Sequence, residues 1–63
     1  MSATVQWDDE HTTMLEDLEK REAKLTAWEH DLVTNLRNYC DANRSMSAKQ
    51  AQALNDAWDR VTA

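Results

Sequence analysis

The chain has 63 residues, a net charge of −5, one cysteine, and neither glycine nor proline. At this length only one small core can form, a single thiol excludes an internal disulfide, and stability has to come from packing or association. The acidic balance disfavours direct contact with nucleic-acid phosphates, and the missing turn residues disfavour hairpins and barrels, leaving an all-α fold.

The first residues carry no basic region followed by an apolar run, so no signal peptide is expected. No stretch approaches the roughly 20 apolar residues of a membrane span. A cytoplasmic location follows as the expectation, in keeping with the lone Cys40. Residues 1–7 read as a flexible tail, with Thr4 or Asp8 as the first helix cap. Asp8, Asp9 and Glu10 suit a helix start, where the macrodipole favours negative charge.

From there, apolar residues recur at steps of three and four. His11, Leu18, Leu25, Leu32 and Tyr39 occupy one heptad position, and Trp7, Met14, Arg21, Trp28 and Asn35 the other. Such a stripe is buried against a partner helix. The favoured reading is one long helix over residues 8–42 whose seam, Met14, Leu18, Arg21, Leu25, Trp28, Leu32, Asn35 and Tyr39, joins two copies in a coiled coil. Arg21 and Asn35 would set register within it. Thr26 and Glu29 form a capping box, however, so the alternative is a break near residues 25–26 and three helices, about 8–24, 27–42 and 48–62. Lys24-Leu25-Thr26-Ala27 contains no good turn residue, which weighs against that break.

Asp41, Asn43 and Ser45 then make a polar interruption. A second capping box, Ser47 with Gln50, opens a C-terminal helix over residues 47–62. Its apolar residues Leu54, Trp58 and Val61 match a second stripe on the preceding helix, Val33, Leu36 and Cys40. The two elements are expected to form an antiparallel helical hairpin, and two hairpins a four-helix arrangement on an acidic stem.

The segments Leu25-Thr26-Ala27-Trp28-Glu29 and Met46-Ser47-Ala48-Lys49-Gln50, with Leu54, resemble a pattern in small phage and prophage proteins. In that pattern an L-[ST]-x-W-E helix start precedes an L-S-x-K-Q-x-x-x-L helix. The likeness spans residues 25–58 and departs from the pattern at Leu32 and Val33, where an aromatic is expected after W-E. It implies a helical pair and a phage source, and carries over no catalytic role.

Charge is uneven: residues 1–31 sum to −6 and residues 32–63 to +1. Asp8, Asp9, Glu10, Glu16, Asp17 and Glu19 precede the first base. Such a run is usually a solvated helix face; its sharper reading is a partner-binding face that imitates phosphate charge. Trp28 and Trp58 lie on apolar stripes and read as core, whereas Trp7 reads as a dimer-end plug or an exposed partner anchor. His11, His30 and Cys40 fall on different helix faces, so neither a metal nor a cofactor is expected. No glycine-rich loop or Ser–His pair accompanies the carboxylates, and a chain this small has little means of excluding water, so it is not read as an enzyme.

The expected function is that of an acidic, homodimeric protein-interaction module. Its expected partner is a nucleic-acid-binding host protein, bound and inhibited by mimicry of DNA, without contact to nucleic acid or membrane. A structural self-assembly or adaptor subunit, with Trp7 and Leu15 as exposed apolar contacts, is the alternative. A helical DNA-binding regulator comes third, because Lys49 and Arg60 are offset by Asp56 and Asp59.

Overall fold

A computed structural model describes residues 4–63. It contains β1 (Thr4–Val5), α1 (Asp9–Lys20), a 3-10 turn (Glu22–Lys24), α2 (Ala27–Asp41), β2 (Met46–Ser47) and α3 (Ala48–Thr62). The two short strands pair antiparallel, with Thr4 opposite Ser47 and Val5 opposite Met46. Thr4 and Val5 are thus tied to the start of α3 and do not belong to a loose tail; residues 1–3 of the expected tail lie outside the described residues.

Each helix starts at a side-chain cap. The Asp8 carboxylate accepts from the His11 N–H at 2.8 Å. Thr26 with Glu29 and Ser47 with Gln50 form reciprocal capping boxes, each side chain taking one of the amides a helix start leaves unpaired. The apolar residue ahead of the last box, Met46, is fully buried, and Ala51 is buried beside it, as in a hydrophobic staple.

The long helix does not form. Helix α1 ends at Arg21, whose N–H is shared between the Asp17 and Leu18 carbonyls, and the chain tightens into the 3-10 turn. Leu25 (φ −82°, ψ 139°) and Thr26 (φ −71°, ψ 166°) are both extended and redirect the backbone into α2. All of this happens at negative φ, so no glycine is needed. The absence of a turn residue was therefore no obstacle to the break.

The second connection does need the left-handed region. Asn43 (φ 61°) is the one non-glycine residue with positive φ among the described residues. Its N–H donates to the Cys40 carbonyl and that of Arg44 to the Tyr39 carbonyl, the paired bonds of a Schellman helix end. In a chain without glycine, asparagine is the residue that adopts this conformation at least cost.

One core gathers Met14, Leu15 and Leu18 of α1, Val33 and Leu36 of α2, Met46, and Ala51, Leu54, Ala57 and Val61 of α3. The sequence-derived hairpin is corrected in one respect: α3 packs most extensively on α1 rather than on α2. Trp58 is half-buried and donates from Nε1 to Asp17 Oδ2 of α1 at 3.2 Å, while Cys40 lies half-buried at the core's edge. Folding back at the break lays α1 against both α2 and α3.

Replacing Asn43 by glycine should leave the urea midpoint unchanged or slightly raised. Asn43→Val should lower stability by about 1–2 kcal/mol through the cost of a branched side chain at positive φ. Equal stability of the two variants would show that the α2 end is not held in this conformation.

Candidate protein-interaction surface

The heptad stripe is divided by the break. Met14 and Leu18 face the chain's own core. Arg21 and Leu25 sit half-buried in the connection, where Arg21 Nη1 turns back to the Asp17 carbonyl at 3.3 Å. Trp28 and Asn35 remain exposed on the outer face of α2, with Tyr39 half-buried near them and Leu32 half-buried against the edge of the core. The eight residues therefore do not form a single seam. Leu15, expected as an exposed contact, is fully buried.

Trp28 departs most from its sequence reading: expected in the core, it is 64% exposed. Its position explains this. It follows Thr26 by two residues at the start of α2, and the inward direction at that level is taken by Glu29. The Glu29 carboxylate is buried, with Oε1 accepting from the Thr26 N–H at 2.9 Å and Oε2 from Arg60 Nε at 2.8 Å. Arg60 Nη2 also bonds Glu29 Oε1, and it donates to the Lys24 carbonyl at 2.7 Å. Bonding from Arg60 first, and from the Thr26 backbone second, holds the Glu29 carboxyl down at about 2.

A shallow groove beside Trp28 is lined by Leu32, Tyr39, Ser47, Lys49, Gln50 and Ala53. Arg44 stands over the Tyr39 ring, 5.1 Å from its centroid. The other two tryptophans serve the fold. Trp7 is half-buried and donates from Nε1 to the Arg44 carbonyl at 3.0 Å, so it is not a free anchor.

The proposed acidic face is likewise divided. Asp8 caps α1 and lies 2.7 Å from His11 Nδ1; the backbone bond from His11, then its ring, hold the carboxyl below its usual range. Asp17 accepts from Trp58 and lies 3.8 Å from Arg21. Glu19 takes a two-pronged bond from Arg37 on α2, at 2.9 Å from Nε and 2.5 Å from Nη2, which lowers the Glu19 carboxyl and keeps Arg37 more firmly protonated. Asp9, Glu10 and Glu16 are exposed and enter no ion pair among the described residues.

A cleft between the 3-10 turn and α2 holds the exposed His30 Nε2, 2.8 Å from Glu22 Oε1. The Thr34 hydroxyl beside it donates to the His30 carbonyl at 3.0 Å, and Arg37 is occupied by Glu19 and Asp41. The pair can bridge the turn to α2, and no activated nucleophile adjoins it among the described residues. No group of three or more metal-ligating side chains occurs among the described residues. Nor, among them, is any helix long and apolar enough to cross a membrane.

Comparison of the chain with protein-family models, with curated proteins and with solved structures finds no match.

Two stability contrasts follow. Trp28→Ala should change unfolding free energy by no more than about 0.5 kcal/mol, whereas Leu15→Ala should cost about 2–5 kcal/mol. A comparable loss from both would place Trp28 in the core.

The pH dependence follows from Glu29. A carboxyl lowered from 4.5 to about 2 favours the fold fully above the unfolded value, and that contribution is lost as pH falls from 4.5 through about 2. Urea midpoints measured across this window should drop steeply for the wild type and more gently for Glu29→Gln. Parallel curves would refute the role given to Glu29.

Proposed function

We propose that this protein acts by binding a protein partner rather than by catalysis, and that the Trp28 surface of α2 and α3 is its contact. The observation that carries this reading is the exposure of Trp28 beside the half-buried Leu32 and Tyr39. Large aromatics buried on association supply much of the binding energy at protein interfaces. The fold has a core of its own, so nothing about its own packing requires an indole on this surface. An exposed indole flanked by half-buried apolar side chains is the form an interface anchor takes.

The acids of α1 support a second, complementary reading. Asp9, Glu10 and Glu16 remain free to attract a basic partner over a distance, including one that ordinarily holds nucleic acid. The likeness of residues 25–58 to phage and prophage proteins favours a bacterial host as the source of such a partner. Mimicry of DNA is the stronger form of this reading. It is weakened because Asp8, Asp17 and Glu19, half of the acidic run, are engaged within the fold.

Photo-crosslinking in bacterial cells separates the two readings. One variant carries an aromatic, benzophenone-bearing photoreactive residue in place of Trp28, which keeps a large apolar ring there. The other carries the same residue in place of Glu16. A discrete protein adduct from position 28 is expected. An adduct from position 16 alone would favour the acidic face as the contact, and none from either position would contradict a binding role for both.

A further inference from the structure

The Trp28 strip carries a charge pattern that selects its occupant. Trp28, Leu32, Asn35 and Tyr39 follow one another at steps of four, three and four along α2, so they lie on one line of the helix surface. On one side of that line stands α3, where Lys49 borders Trp28. With 3.6 residues per turn, the other side belongs to Asp31. Asp31 and Lys49 are both exposed, and neither enters an ion pair among the described residues. The groove along Trp28, Leu32 and Tyr39 is lined by Lys49 and no acid, while a second groove beside Trp28 adds Asp56 and the paired Glu29 and Arg60 to Lys49.

We infer that the occupant of the Trp28 strip is a second copy of this chain, with the two α2 helices parallel about a two-fold axis. This rests on the reading of that surface as a protein contact and names its partner. In the parallel arrangement opposite edges meet, so Asp31 of each copy faces Lys49 of the other. In the antiparallel arrangement like edges meet, and Asp31 no longer faces Lys49.

Asn35 points the same way. Parallel helices bring the two Asn35 amides together at the axis, where each supplies the donor and acceptor that the other lacks. Antiparallel helices set Asn35 against Leu32 and leave the amide without a partner. A polar residue inside an apolar seam is a known means of fixing register.

The strip is short. Fifteen residues of α2 span about 22 Å, so the interface lies at the small end of specific contacts and the dimer is reversible. The exposed acids of α1 are not members of the strip and stay available to a further, basic partner.

Sedimentation equilibrium of the full chain from about 10 μM to 1 mM covers the range expected for a contact of this size. The wild type should pass from monomer to dimer, and Trp28→Ala should remain monomeric with unchanged helicity. Asp31→Lys and Lys49→Asp should each raise the self-dissociation constant by about tenfold or more. An equimolar mixture of those two variants should associate like the wild type, because both edge contacts are then between opposite charges. If the charge variants self-associate as tightly as the wild type, the parallel arrangement is overturned.

A wild type that stays monomeric throughout overturns the second copy as occupant. Hydroxyl-radical footprinting of that monomer then separates two failures. Ready oxidation of Trp28 would leave the surface free for a different protein, whereas protection of Trp28 would remove the contact surface as well.

Discussion

The buried Glu29 carboxylate is the group on which the arrangement of the three helices turns. It caps the first turn of α2 through the Thr26 N–H and receives two bonds from Arg60, at the far end of α3. Arg60 also holds the carbonyl of Lys24 in the connection. One guanidinium thus joins the last turn of the chain to the point where α1 gives way to α2. An unpaired carboxylate in this position would be strongly unfavourable, so the break, the cap and the docking of α3 stand or fall together. Two further links reinforce the same geometry: Glu19 with Arg37 fastens α1 to α2, and Trp58 with Asp17 fastens α3 to α1.

The functional consequence is a division of labour along one heptad stripe. Its first part, Met14 and Leu18, is spent on the chain's own core, while its last part, Trp28 to Tyr39, stays on the surface. A continuous helix would have needed a partner in order to fold. The broken one folds around its own core. The acidic run is divided by the same contacts, since Asp17 and Glu19 become struts between helices and only Asp9, Glu10 and Glu16 keep a free charge.

The helical class and both capping boxes were legible in the sequence, because a cap is written in residues three apart and acts locally. The polar interruption around Asn43 was legible for the same reason, and without glycine, asparagine is the natural residue for a left-handed helix end. The break at residues 21–26 was harder. It uses a 3-10 turn and two extended residues, conformations open to almost any side chain, and the heptad ran through it without a phase change. The distant partners of Glu29 and Asp17 lie 31 and 41 residues away and leave no local signature. Trp28 was misread for the same reason: apolar periodicity marks a stripe, and only the packing decides which part of it is covered.

The central claim is that Trp7 and Trp58 are bound into the fold while Trp28 stands outside it. Solvent exchange of the three indole N–H protons, followed by nuclear magnetic resonance in a dilute sample, tests this most directly. Trp7 and Trp58, bonded to the Arg44 carbonyl and to Asp17, should exchange slowly, and Trp28 should exchange fast. Fast exchange at all three would contradict the account by pointing to an open helix without this core. Slow exchange at Trp28 equal to that of Trp58 would contradict it by placing Trp28 inside the fold.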